Sequence, residues 1–494
     1  MTNPANLTTE QVLTKAIALR DSDDPQAARS LLEKAIAHRF DDPRLWQMLG
    51  LVHRAMDDSA GAIDALARAH ALARSDVRIA HALARVTLEA GLPASELFRQ
   101  TLSMAPADMT IVLGLSAALF AEGDGEAAIA TLASYCERSP SWIEGIAALA
   151  DLRWLMRDEN GFASSYTRAL GQRPYDQALW MALINHYIRI ERYDWASKGV
   201  EVARKVLGDT PALQGVAAIC ASELGDWGLA DSFFAAQPDT NEPVSMASRR
   251  IRHMLRRNRP DLADALAAPW LDHVDADHIW PYAATAWRMM GDPRAEWLFG
   301  DPALVTVHQI YQPGELEALA ATLRQIHSRS GPPAGQSVRH GTQTDGPLFS
   351  RIEPEIVKLR ERIRKATRRH LAGLTFDGQH PILRHRRRKV RFAGSWSVRL
   401  TDAGHHSNHV HPQGWFSSAF YVAVPCEDQA GPAPAGHLQL GVPPTELGIA
   451  LEPTQVLAPQ PGSLALFPSI LWHGTCPIAG GERMTVAYDI APPR

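Results

Sequence analysis

The residues best suited to chemistry in this chain are His409 and His411, which stand two apart in Gly404-His405-His406-Ser407-Asn408-His409-Val410-His411-Pro412. In an extended chain alternate side chains share a face, so the two imidazoles form a two-nitrogen chelate for a metal ion. A third imidazole, His473, lies 62 residues beyond His411, and Arg483 follows ten residues after it. His473 comes after Leu464-Ala465-Leu466-Phe467-Pro468, which reads as a buried strand entering a turn. It can therefore arrive from a neighbouring strand and complete a three-nitrogen face. The working assignment is a mononuclear iron site.

The scaffold has to be large. A chain of 494 residues is long enough for two to four domains. A net charge of −4 gives no general attraction to nucleic acid or to a membrane surface, so neither is expected as a partner. The four cysteines, Cys136, Cys220, Cys426 and Cys476, are far apart and form no C-x-x-C pair, which argues against a disulfide framework and against a cysteine zinc site. A polar Met1 to Glu10 without an apolar core, and the lack of a membrane-length apolar run, lead us to expect a cytoplasmic, soluble protein.

From Thr8 to about Leu298 the apolar residues recur at three and four, the helical period. Thr8 with Gln11 reads as a capped helix start. Turn residues return at Pro43, Ser75, Pro106, Pro140, Pro174 and Pro211, spaced by 32, 31, 34, 34 and 37 residues. Between them recur Leu45-Trp46-x-x-Leu49-Gly50 with Ala62 and Ala65, and Leu179-Trp180-x-x-Leu183 with Tyr193 and Ala196. This pattern resembles the tetratricopeptide repeat, whose helical hairpins stack into a solenoid with a concave groove. The Trp, Tyr and Ala landmarks are read as the solenoid's own packing. The groove is the expected seat of a protein or peptide partner.

Near Leu298-Phe299-Gly300 the character changes. Val305 to Val307 reads as a short strand, Pro313 to Ser328 as an amphipathic helix, Gly331 to Gly335 as a loop and Glu353 to Leu371 as a basic helix. Strands are then expected over Ser395 to Leu400, Phe416 to Val424, His437 to Leu440, Gln455 to Leu457, Ser463 to Phe467 and Met484 to Ile490. Short strands with Gly and Pro between them suggest an antiparallel sandwich or barrel. The run Arg384-His385-Arg386-Arg387-Arg388-Lys389-Val390-Arg391 is read first as a charged edge strand, which discourages edge pairing, with an acidic peptide substrate or a nucleic-acid backbone as the alternatives. His405, His406 and His437 are read as ordinary polar side chains, and Gln343 and Thr344 receive no role.

Arg339-His340-Gly341-Thr342-Gln343-Thr344, His409-Val410-His411-Pro412, Ser418-Ala419-Phe420-Tyr421-Val422 and Phe467-Pro468-Ser469-x-x-x-His473-Gly474 occur in an order that resembles the Fe(II)- and 2-oxoglutarate-dependent dioxygenases of the prolyl-hydroxylase-like branch. A group with a His-x-His-Pro motif is the nearest resemblance. It implies a double-stranded β-helix (jelly-roll) domain over residues 299–494, behind a helical-repeat domain over 1–298, an α+β multidomain chain. It also implies Fe(II), 2-oxoglutarate and O2, with His409, His411 and His473 as metal ligands. Arg483 would pair with the far carboxylate of the keto acid and Thr485, on the same strand face, would add a hydroxyl donor. The common triad carries Asp or Glu where this chain has His411, so His411 is either a third ligand or a residue orienting water. The implied activity is hydroxylation of a protein or peptide side chain recruited by the repeats. Two other classes stay open: a non-catalytic repeat-based interaction protein, and a three-histidine zinc or cupin-like metalloenzyme, since three neutral imidazoles also suit zinc.

Overall fold

The computed structural model describes residues 7–22, 24–236, 243–327, 335–385 and 390–492. The chain forms two compact units, one of Met1–Met156 with Gly346–Arg360 and one of Arg157–Asp345 with Glu361–Arg494.

Helices of the first unit begin where short polar side chains meet free backbone donors. Thr8 Oγ1 accepts from the Gln11 N–H at 3.3 Å while Gln11 Oε1 accepts from the Thr8 N–H at 2.9 Å, closing a reciprocal capping box. Asp42, Asp58, Asp76, Asp108 and Asp124 cap the helices that start at Pro43, Ser59, Val77, Met109 and Gly125, each carboxylate accepting a first-turn N–H. The periodic turn residues Pro43, Ser75, Pro106 and Pro140 stand at or just before the first helix of successive pairs: Pro43–Ala55, Val77–Glu89, Met109–Ala121 and Ile143–Leu155. Leu45, Leu49, Ala62 and Ala65 are buried as the repeat pattern requires. Gly50 marks the helix crossing, because a Cβ there would lie 2.6 Å from Leu66 Cγ.

In the second unit Pro174 and Pro211 play the same part for Gln177–Arg189 and Pro211–Leu224, and helices continue to Arg294–Phe299. The chain then becomes strands: β1 (Thr306–Gln309), β2 (Val338–Gln343), β3 (Phe392–His406), β4 (Phe416–Ala423), β5 (Leu438–Leu440), β6 (Gln455–Leu457), β7 (Ser463–Pro468), β8 (His473–Thr475) and β9 (Arg483–Ile490). A six-stranded sheet has the order β1-β7-β4-β9-β3-β2 and a three-stranded sheet the order β6-β5-β8. Every pairing is antiparallel. Tyr421, Ala465 and Phe467 of the larger sheet pack with Leu438 and Leu440 of the smaller, so the core lies between the two, as in a double-stranded β-helix.

The other face of the larger sheet is covered by the helix Pro354–Gly373. Thr367 Oγ1 is 2.6 Å from Tyr488 Oη, and His370 stands edge-on to Phe416 at 5.0 Å. This explains why β9 is buried on both faces: Met484, Val486 and Tyr488 point to one side and Arg483 and Thr485 to the other. Within the same unit the helix Trp280–Met290 touches the small sheet. Trp472 Nε1 donates to Thr285 Oγ1 at 2.9 Å, and Arg288 donates to the carbonyls of Gly441 and Glu452.

The strands differ from the sequence reading in detail. β2 and β8 were not expected as strands, β8 because three residues carry too little pattern. The amphipathic helix spans Glu317–His327, with Pro313–Glu315 forming a separate 3-10 turn before it. The basic run is not an edge strand where it is described: Leu383–His385 is a 3-10 turn, residues 386–389 lie outside the described residues, and β3, which follows, is flanked by β2 and β9. The loop expected at Gly331 to Gly335 lies outside them up to residue 334. Among the described residues no helix is long and apolar enough to cross a membrane.

Candidate metal centre

The two adjacent imidazoles are not held by a strand. β3 ends at His406, and the chain runs on in an extended path past the start of β8. There the His409 N–H donates to the His473 carbonyl at 2.9 Å and the His473 N–H returns a bond to the His409 carbonyl at 3.0 Å. The His411 N–H donates to the Ser469 carbonyl at 2.9 Å. Sheet-like pairing thus survives as a single bridge, enough to keep alternate side chains on one face. Gly474 permits the close approach, since a Cβ there would fall 2.1 Å from Asn408 Oδ1.

His409, His411 and His473 meet with their ligating nitrogens within 4.8 Å of one another. Each has its Nδ1 against an acceptor: the Ser407 carbonyl at 2.7 Å for His409, the Leu471 carbonyl at 2.9 Å for His473, and Asp489 Oδ2 at 2.6 Å for His411. An Nδ1–H donated outward fixes the tautomer and leaves the Nε2 lone pair for a metal. Burial lowers the His409 pKa to about 3 and pushes that of His473 well below its usual value, with the neighbouring imidazoles adding in the same direction. Both rings are therefore neutral ligands at ordinary pH.

Arg483, 2% exposed, lines the same cavity as the three imidazoles, and so does Thr485. Its Nε donates to the Gly436 carbonyl at 3.1 Å, and its guanidinium lies 5.3 Å from the centre of the Tyr421 ring. Among the described residues no carboxylate forms an ion pair with it, and burial lowers its pKa. The buried Tyr421 hydroxyl interacts with Arg483 itself. A buried cation with a hydroxyl beside it suits a ligand carboxylate, and three tethered imidazoles suit a divalent transition metal. The residues present therefore fit both Fe(II) and 2-oxoglutarate.

All five sequence-derived site residues face one cavity, which has an empty volume of about 560 Å³ and opens to solvent. His406 and Gln343 line it too, although neither had been given a role. His406 is held through Nδ1 by Ser337 Oγ at 3.0 Å, and the same hydroxyl lies 3.3 Å from His409 Nε2. Thr344 is a core residue whose hydroxyl accepts from the Ser397 N–H. Sequence reasoning missed Tyr421 as a polar group and missed Asp489 altogether. Asp489 had a signal, since it continues the face of Arg483, Thr485 and Ala487 at the strand period of two.

The antiparallel β-sheets thus enclose a cavity in which three imidazoles that could hold a metal ion meet a buried guanidinium suited to an anionic ligand. Residues 394–489 match the family described as "Putative 2OG-Fe(II) oxygenase". The matched residues lie in the strand-rich C-terminal part of the chain, after the helical hairpins. Among solved structures the chain is similar to a tetratricopeptide repeat protein from Parabacteroides merdae, at 15% identity, over 46% of this chain and 90% of that one, with a TM-score of 0.31. It is similar to a Pseudomonas putida prolyl-4-hydroxylase at 16% identity, over 39% and 94%, with a TM-score of 0.28. A third, the MamA protein, shows 24% identity over 26% and 71%, with a TM-score of 0.25. No curated protein matches the chain.

Proposed function

We propose that the chain is an Fe(II)- and 2-oxoglutarate-dependent dioxygenase that hydroxylates a protein or peptide side chain, residues 299–494 forming the catalytic domain and the repeats of residues 1–298 recruiting the substrate. The observation that carries the reading is the meeting, in one cavity, of three imidazoles whose Nδ1 atoms face acceptors outside the cluster and a buried Arg483 without a carboxylate partner among the described residues. Zinc would also accept three imidazoles, but a zinc site has no use for that cation.

His409, His411 and His473 would hold the metal. Arg483, with Thr485 and the Tyr421 hydroxyl, would take the far carboxylate of the keto acid, a bidentate charge-assisted contact. When bound, iron, 2-oxoglutarate and O2 supply the oxidising power that puts one oxygen into a C–H bond and releases succinate and CO2. Phe467, packed 4.7 Å from the His473 ring, and Trp396, 5.4 Å from the His411 ring, hold the imidazoles in place and keep that part of the cavity apolar.

The test is turnover of 2-oxoglutarate to succinate by the protein supplied with Fe(II) and O2, with His473→Ala as the comparison. His473→Ala should lose metal binding and turnover together. Partners captured on that variant should gain the mass of one oxygen atom when treated with the parent enzyme. Absence of succinate from the iron-loaded parent, or of 2-oxoglutarate binding by it, would sink the proposal.

A further inference from the structure

Asp489 is a carboxylate buried to 9% exposure, and among the described residues no lysine or arginine pairs with it. Its one cationic or protic ring partner there is His411, 2.6 Å from Oδ2. Oδ1 accepts from Ser417 Oγ at 2.6 Å, and Ser417 Oγ is 2.9 Å from Ser469 Oγ. A hydroxyl has one proton, so Ser417, donating to Asp489, accepts from Ser469. The chain of bonds thus ends on Asp489, and it is pinned at both ends: Ser469 gives its carbonyl to the His411 N–H, and β4 pairs Ser417 with Asp489 in the sheet. The Trp396 ring closes over His411 from the side.

Resting on the proposed metal site, we infer that Asp489 is the positioning residue for His411, fixing its Nδ1–H tautomer and supplying from behind the imidazole the negative charge that a carboxylate ligand would bring directly. The usual His-x-carboxylate pair places the anion on the metal. Here the anion stands one ring further back, and with a metal bound His411 Nε2 would be the more basic donor for it. A carboxylate–histidine–metal relay of this kind raises ligand basicity, and loss of the outer partner typically costs about 10- to 100-fold in metal affinity. The arrangement leaves Nε2 as the ring nitrogen that His411 turns to the cavity, because its Nδ1 and backbone N–H are both committed elsewhere.

The test uses Co(II) as a spectroscopic probe with the full-length, metal-free protein. Asp489→Asn, which keeps shape and an acceptor but removes the charge, should weaken Co(II) binding about 10- to 100-fold and shift its visible absorption bands. In a His411→Ala background the same substitution should have no further effect, which separates action through His411 from a general loosening of the fold. Should Asp489→Asn fold poorly, Ser417→Ala removes only the support of Oδ1 and should give a smaller loss in the same direction. Parent-like affinity and spectrum in Asp489→Asn, or an undiminished effect of Asp489→Asn without His411, would overturn the inference. Retention of Co(II) by His409→Ala and His473→Ala would instead overturn the metal site itself.

Discussion

Replacement of Arg483 by Met separates the keto-acid site from the metal site. Methionine keeps much of the side-chain length and removes the guanidinium, whose Nε bonds the Gly436 carbonyl and whose remaining nitrogens are free of any carboxylate among the described residues. Removing one partner of a buried charge pair costs about 2–5 kcal/mol of binding. A loss of about 2.7 kcal/mol corresponds to roughly 100-fold in dissociation constant. At a 2-oxoglutarate concentration about 100 times the parent's Kd, binding stabilises the parent by about 2.7 kcal/mol and the variant by only about 0.4 kcal/mol. For a unit of this size the parent's melting temperature should rise by roughly 4 °C with the keto acid and the variant's by less than about 1 °C. The ligand-free variant should melt close to the parent, because the lost bond to Gly436 is offset by relief from burying a cation whose pKa the burial already lowers. Metal affinity should not change. Thermal unfolding with and without 2-oxoglutarate, at fixed metal, measures all of this. An equal keto-acid shift in parent and variant refutes the role of Arg483, and a large loss of stability in the ligand-free variant refutes the view that the guanidinium waits for a carboxylate.

The second unit should be acid-sensitive. Burial pulls His327 and His370 from 6.5 down to about 4, so the unfolded chain takes up protons first and stability is lost progressively as pH falls from 6.5 towards 4. Each should cost about 2 kcal/mol at about pH 5, and a melting temperature of the metal-free protein that stays level between about pH 7 and pH 5 would contradict this. His327→Gln, whose amide can still reach Thr342 and Ser397, should flatten the dependence in part. In the first unit Gly50→Ala should destabilise, against the usual gain of about 1 kcal/mol for Ala over Gly in a helix, because its Cβ meets Leu66 and the Ala62 carbonyl. A loss of about 1–3 kcal/mol from overpacking is expected, and a higher melting temperature would show that the helices can part there at no cost.

Much of the site was legible because it is local or periodic. Two histidines at a spacing of two need only an extended backbone, and a single bridge to His473 provides it. Thr485 followed from Arg483 by the same period. The capping box at Thr8 and the proline period of the hairpins are short-range patterns, and they appear as read. What escaped depends on register between distant strands. Asp489 reaches His411 across 78 residues because β4 and β9 set Ser417 opposite Asp489. Nothing within either segment declares that pairing, and a one-residue slip would turn Asp489 to the opposite face. The Tyr421 hydroxyl is similar: its ring reads as core, and only the placement of Arg483 beside it gives the oxygen a role.

The helices nearest the β-domain do more than precede it. His473 is flanked by Trp472, whose indole N–H is held by Thr285 and whose ring stands edge-on to Tyr282 at 5.5 Å, both on the helix Trp280–Met290. Arg288, on the same helix, holds two carbonyls of the segment that joins β5 to β6. Near the other ligands Arg339 pairs with Glu191 at 2.9 Å and donates to the Gln336 carbonyl at 2.6 Å, next to the Ser337 that touches His406 and His409. Glu191 lies in the turn between the helices Gln177–Arg189 and Tyr193–Leu207. Both the strand that brings His473 and the loop that brings Ser337 are thus fastened to helical repeats of the same unit. The buried Trp472 contact is close-packed and passes a displacement on, whereas the exposed Arg339–Glu191 pair is a looser tether. The helices nearest the strands are therefore part of what sets the placement of His473.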